Sequence, residues 1–147
     1  ELIMIGIFKY TAKKDMVLGI SDQQTGAKAV ILPASSPLNK ILWSVDDRTG
    51  EIVLAASEEL LLGIREDRMG SGAAIELQVR GNKATQRWDL VSSRRFIKSK
   101  QNPTFVMDSY NRGTNPGNPI ILFEFNGSEA QQWVFVPMDM LTANSPE

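Results

Sequence analysis

The chain contains no cysteine and no histidine. Without cysteine there is no disulfide framework and no thiolate nucleophile, which favours a reducing, cytoplasmic setting over secretion. Without histidine, the commonest general base and the commonest metal ligand are missing. Zinc sites of the Cys/His kind and a Ser-His-Asp triad are excluded. No excess of charge of either sign is present: 16 Lys and Arg stand against 17 Asp and Glu, for a net charge of −1. A nucleic-acid partner needs a basic face, so none is expected. The local exception is Arg94, Arg95, Lys98 and Lys100. They read as a solvated strand face with Phe96 turned inward, with a phosphate-binding patch as the alternative. Long apolar runs are absent too. Leu2 to Phe8 is far short of the roughly 18–20 residues of a membrane helix. It also lacks the basic flank and small-residue cleavage site of a signal peptide, and reads as a buried first strand. The chain opens on Glu1 and not on Met, which suggests a fragment whose partner domain lies elsewhere.

What is present is a repeat. The only tryptophans, Trp43, Trp88 and Trp133, are spaced 45 residues apart. Equal spacing of this kind prompts a search for internal repetition. Met16 to Ile20 matches Leu60 to Ile64 and then Phe105 to Ser109. Each run leads through a polar, Gly-containing stretch into a second apolar run: Ala29 to Leu32, Ala74 to Leu77 and Ile120 to Phe123. A short polar loop and a Trp segment close each unit. The 147 residues form a single domain of three units, about 1–46, 47–92 and 93–137, with a short tail at 138–147.

Each unit reads as four short strands, apolar and β-branched, bounded by Gly, Pro, Asn and Asp. The expected strands are 3–10, 15–20, 27–32 and 40–45; then 50–55, 59–64, 73–79 and 86–91; then 94–99, 104–109, 119–125 and 131–136. Asp47 to Gly50 reads as a tight turn with Gly50 at positive φ. Ser57 to Leu60 reads as a hairpin turn. Four strands cannot bury their own apolar face, but three copies around a pseudo-three-fold axis can. The fold class is therefore all-β, a β-trefoil with twelve short strands. A β-propeller shares this period but usually needs four or more blades.

A Q-x-W triplet stands at Gln86-Arg87-Trp88 and again at Gln131-Gln132-Trp133. In phase with the third Trp, it resembles the hallmark of ricin B-type (R-type) lectin domains over nearly the whole chain. The third unit also resembles the family's D-V-x(n)-N-G-N-x-I-x-L-W stretch, through Met107-Asp108-Ser109 and Pro116 to Phe123. The resemblance implies a non-catalytic recognition module for a glycan or glycoprotein, of galactose or N-acetylgalactosamine type. It also implies that the Trp is core and that the Gln steadies the sugar-binding Asp.

A sugar site of this kind needs a carboxylate for two vicinal hydroxyls, an aromatic face for the C–H patch, and amides around them. The third unit offers Asp108 and Phe123, with Tyr110, Asn111 and Asn118 on or near the connecting loop and Gln131 behind Asp108. At the matching positions the first two units carry Gly19 and Leu32, and Gly63 and Gln78. At most one site is expected, and a weak one, because Ile121 and Ala130 replace residues that usually add hydrogen bonds. Asp108 reads equally well as a cap of the following turn. Gln86, with no Asp to hold, reads as structural, and in the first unit Ile41 replaces the Gln. No carboxylate pair is singled out for glycoside hydrolysis. Asp108, Asn111, Asn115 and Asn118 lack the spacing and second carboxylate of a calcium loop. No cofactor, metal or catalytic residue is expected. The alternative function is a degenerate trefoil serving protein–protein contact or protease inhibition.

Overall fold

The computed structural model describes residues 3–139. The expected tail therefore lies outside the described residues from position 140 onward. Twelve strands run along the described chain: β1 Ile3–Tyr10, β2 Met16–Ile20, β3 Ala29–Pro33, β4 Trp43–Asp46, β5 Glu51–Leu54, β6 Leu60–Ile64, β7 Ile75–Val79, β8 Trp88–Asp89, β9 Lys98–Ser99, β10 Phe105–Ser109, β11 Ile120–Glu124 and β12 Trp133–Pro137. Each expected strand has its counterpart, and both expected turns are present, with Gly50 at φ 82°. The expected strands were too long around 86–99. There β8 and β9 keep only two residues each, and the connecting segment leaves the ladder.

All pairings are antiparallel. β1 pairs with β4 and β12, β4 with β5, and β8 with β9. Two backbone bonds continue this ring. Trp88 N–H donates to Gly50 O at 2.8 Å, and Trp133 N–H donates to Arg95 O at 2.7 Å. These six strands make the barrel. The hairpins β2–β3, β6–β7 and β10–β11 cover one end of it.

The covering hairpins hold one another in a cycle. Gly26 N–H donates to Leu77 O, Gly72 N–H to Leu122 O, and Gly117 N–H to Ile31 O, at 2.7, 2.8 and 2.8 Å. These glycines have φ of 90°, 95° and 89°, a left-handed region open to residues without a Cβ. Each repeat thus hands its loop to the β-strand of the next. That closure is what a single four-strand unit lacks.

The tryptophans are the core's shared element. Their indole N–H groups donate to Leu18 O, Leu62 O and Met107 O, at 3.0, 3.1 and 3.2 Å. All three carbonyls belong to the covering hairpins, so each Trp ties the barrel to its cover. Around them pack Leu18, Leu62, Ile31, Leu77 and Leu122. A Q-x-W Gln was expected at the start of a strand. Instead it closes a 3₁₀ turn, Ala84–Gln86 in the second repeat and Glu129–Gln131 in the third. The turn tightens the chain so that the Gln side chain points inward, and both amides are buried.

Gly6 shows how closely the barrel is packed. A Cβ there would overlap Val136 O and lie 2.9 Å from Pro137 Cα, both backbone. Gly6→Ala is therefore expected to destabilise the domain by about 3 kcal/mol, the upper range of overpacking. At Gly63 the overlapping atoms belong to the Gln78 side chain, which can swing away. Gly63→Ala should cost clearly less. Urea denaturation of both variants measures the difference, and equal losses would contradict this account.

Candidate functional site

The strand register decides which side chains meet. In β10–β11, Asp108 faces Ile121 and Val106 faces Phe123. Asp108 and Phe123 then line one open cavity of about 410 Å3 with Tyr110, Asn111, Arg112 and Asn126. Ile121 forms part of its apolar base, and Ser71 and Gly72 wall one side. Ser71 and Gly72 come from the second repeat. They arrive because Gly72 N–H donates to Leu122 O and because Ser71 Oγ accepts from Glu124 N–H at 3.0 Å.

Asp108 is only 6% exposed. Its Oδ2 accepts one hydrogen bond, from Gln131 Nε2 at 2.8 Å. Gln131 is itself fixed on every side. Its Oε1 accepts from Asn126 N–H and Gly127 N–H at 2.9 and 3.2 Å, and its Nε2 also donates to Glu124 O at 3.0 Å. The Gln amide therefore has one permitted orientation and always presents a donor to Asp108. Burial raises the Asp108 pKa above the ordinary carboxylate value, against the pull of the Gln131 bond and the nearby Arg112 charge. A turn-capping Asp would accept backbone N–H groups, as Asp89 does from Val91 and Ser92 at 3.0 Å each. Among the described residues Asp108 makes no such bond.

Phe123 is 38% exposed and Tyr110 is 53% exposed. Both can offer ring surface to a ligand. Asn111 and Arg112 form the loop rim at φ of 53° and 55°. Asn118 behaves differently from the expectation. Its Nδ2 donates to Ser109 Oγ at 2.8 Å and to Tyr110 O at 3.0 Å, and it does not line the cavity. It braces the 110–113 loop from behind. Arg112, Ser71 and Asn126 were not singled out from the sequence. Asn126 could have been found by its place five residues before the Q-x-W Gln. Ser71 had no local signal.

The other two repeats have filled the matching space. In the second, Gln78 folds over Gly63 and accepts from Gln86 Nε2 at 2.9 Å. Gln86 also donates to Val79 O and accepts from Gly81 N–H, repeating the Gln131 geometry without a carboxylate. In the first, Leu32 packs over Gly19, beside the small apolar cluster of Ile7, Val17 and Ile41. Neither place retains the Asp; in the second, the Glu76 carboxylate stands across from Gly63 but is taken up by Arg65 Nε at 2.5 Å and Gln78 Nε2 at 3.0 Å. Among the described residues no group of three His, Cys, Asp or Glu side chains could hold a metal ion. No helix among them is long and apolar enough to cross a membrane.

Gln131→Leu removes the donor to Asp108 and the acceptor for two backbone N–H groups. An unsatisfied buried polar group costs roughly 1–3 kcal/mol. The variant is expected to lose at least about 2 kcal/mol of stability. Gln86→Leu should lose a similar amount without any effect on the third repeat's cavity. Thermal denaturation of the two, compared with ligand binding, separates the roles of the two Gln residues.

No family model and no curated protein sequence matches the chain. Solved structures do. A designed three-fold symmetric protein, ThreeFoil, superposes with a TM-score of 0.79 at 20% identity, over 90% of this chain and 97% of that one. The C-half of the earthworm R-type lectin, in complex with GalNAc, gives 0.74 at 18% identity over 91% and 98%. The Polyporus squamosus lectin gives 0.76 at 18% identity, over 94% of this chain and 50% of that one. The three-fold ring of Trp anchors, the cyclic hairpin cover and these superpositions agree: the chain is a β-trefoil, with the fold found in R-type lectins.

Proposed function

We propose that the domain is a carbohydrate-recognition module with one site, the cavity between Asp108 and Phe123 in the third repeat. The observation that carries this reading is Asp108 itself. Gln131 Nε2 holds Oδ2, which leaves the other carboxylate oxygen open to the cavity and able to accept from a ligand. Here the carboxylate stands at the base of an open cavity beside an exposed aromatic ring. Two vicinal sugar hydroxyls would donate to the carboxylate in place of solvent, and the C–H face of the ring would lie on Phe123. Tyr110, Asn111 and Asn126 would contact further parts of a larger glycan. Galactose- or GalNAc-terminated glycans fit this requirement, and the earthworm lectin of like fold holds GalNAc. The domain recognises and does not catalyse.

A glycan array carrying the wild type and Asp108→Ala tests the proposal. Expected is binding to a subset of galactose- or GalNAc-terminated glycans that disappears in the variant. No binding above background, or binding unchanged by Asp108→Ala, would overturn it. A silent array together with a tight protein partner would favour the protein-contact reading instead.

A further inference from the structure

The barrel end away from the covering hairpins holds a second cavity, of about 190 Å3. Each Trp points its N–H at the cover, so the residues two places further along each strand face the opposite end. These are Val45, Leu90 and Phe135, one from each repeat, and all three line the cavity. Met4, Phe8, Phe96 and Ile97 add to the wall, and Trp133 also lines it. The cavity is there because of the asymmetry of the repeats. Val45 is the smallest of the three equivalent side chains. The 90–97 segment also leaves the ladder between two strands of only two residues each. A buried apolar space of about 150 Å3 is enough to hold benzene.

The rim carries charge. Arg95 lines this cavity and also an adjoining one of about 220 Å3, which Arg94 borders and which shares Leu90, Trp133 and Phe135. Neither arginine has an ion-pair partner among the described residues. Arg95 also stands where the second repeat has Gly50. Both residues give their carbonyl to the following Trp N–H, and both have left-handed backbone, φ 74° at Arg95 and 82° at Gly50. A long side chain held in a glycine's conformation carries strain. Nothing in the packing of the described residues calls for an arginine there. Asp47 also lines the cavity and would repel a negative head group set beside it, which favours Arg95 as the anion's partner.

We propose that this barrel end binds a small amphiphilic carboxylate, its single ring or short alkyl chain among Phe8, Leu90, Ile97 and Phe135 and its carboxylate on Arg95. This site is separate from the Asp108 cavity and does not depend on the glycan reading.

Titration of the protein with sodium octanoate, followed by tryptophan fluorescence, tests it, because Trp133 lines the cavity whereas Trp43 and Trp88 do not. Expected is a saturable change, unaffected by Asp108→Ala. Arg95→Asn, which suits left-handed backbone, should keep or raise the melting temperature. It should weaken octanoate by about tenfold or more, the scale of one charge-assisted contact. Octan-1-ol should bind the wild type and Arg95→Asn alike. Val45→Phe should abolish both by filling the space. If Val45→Phe does not fold, amide shifts of the wild type with octanoate replace it, and they should centre on Leu90, Ile97 and Phe135. No saturable response to octanoate, equal octanoate affinity in Arg95→Asn, or shifts centred elsewhere would overturn the proposal.

Discussion

Asp108→Asn is expected to weaken glycan binding by about a hundredfold while leaving a folded domain. Gln131 cannot turn its amide, because backbone N–H groups of Asn126 and Gly127 hold its Oε1. The introduced side chain must therefore give its oxygen to Gln131 Nε2 and its NH2 to the cavity. The cavity gains a donor where it had an acceptor. Two hydrogen bonds to a charged acceptor are lost, at roughly 1.5 kcal/mol or more each, and about 3 kcal/mol is a hundredfold in affinity. Titration calorimetry with a glycan chosen from the array measures it. A loss smaller than threefold would remove Asp108 from the site.

The same substitution makes a statement about pH. Burial raises the folded-state pKa of Asp108. The folded protein therefore holds this proton more tightly than the unfolded chain does. The associated stability is fully present below the unfolded value and is lost as pH rises through the raised folded value. Asp108→Asn keeps the shape and carries no charge. Its stability advantage over the wild type should be smallest in acid and grow to its full size above the folded pKa. Melting curves across pH test this, and an advantage that shrinks as pH rises would contradict the burial argument. Binding should move the other way. Hydroxyl donors need the ionised carboxylate, so affinity should fall on acidification from a higher pH than an ordinary carboxylate would give.

Trp43→Ala is expected to be the most destabilising substitution in the barrel. Trp43 is fully buried, and its indole N–H bonds Leu18 O in the first covering hairpin. Truncation removes the ring's packing and the tie between barrel and cover. Such losses cost roughly 3–5 kcal/mol, a large part of the 5–15 kcal/mol that holds a domain together. For a chain of this size the melting temperature should drop by about 10–20 °C. Trp43→Phe should lose less, since most of the ring volume survives. A melting temperature within a few degrees of wild type for Trp43→Ala would show that the repeat's Trp is not an anchor.

Much of the fold could be read from the chain because repetition amplifies weak signals. One apolar run of five residues fits a strand or a buried helix turn, whereas three in phase, each followed by Gly and then by Trp, do not. The placement of Gln86 and Gln131 was read less well. The expected strands 86–91 and 131–136 began at the Gln, but the Gln instead ends a 3₁₀ turn ahead of the strand, and that turn aims the amide inward. That the first two repeats lack the Asp was visible as Gly19 and Gly63. That Leu32 and Gln78 then fold into the space left by the missing carboxylate was not, because it depends on the rotamers of residues across a hairpin.

The sequence by itself determined the repeat, the twelve strands, the Trp anchors and the single unit in which a carboxylate and an aromatic ring survive together. These follow from local periodicity and from residue identity, which the chain carries without reference to its folded form. Only the tertiary structure decided what surrounds them. Ser71 and Gly72 reach the Asp108 cavity because each repeat hands its loop to the next, a contact between residues about fifty positions apart. Asn118 turned into the loop because Ser109 and Tyr110 O offered it partners there. Asp108 came to share one cavity with Phe123, with Gln131 at its back, because the β10–β11 register and a turn twenty-three residues further along the chain meet there.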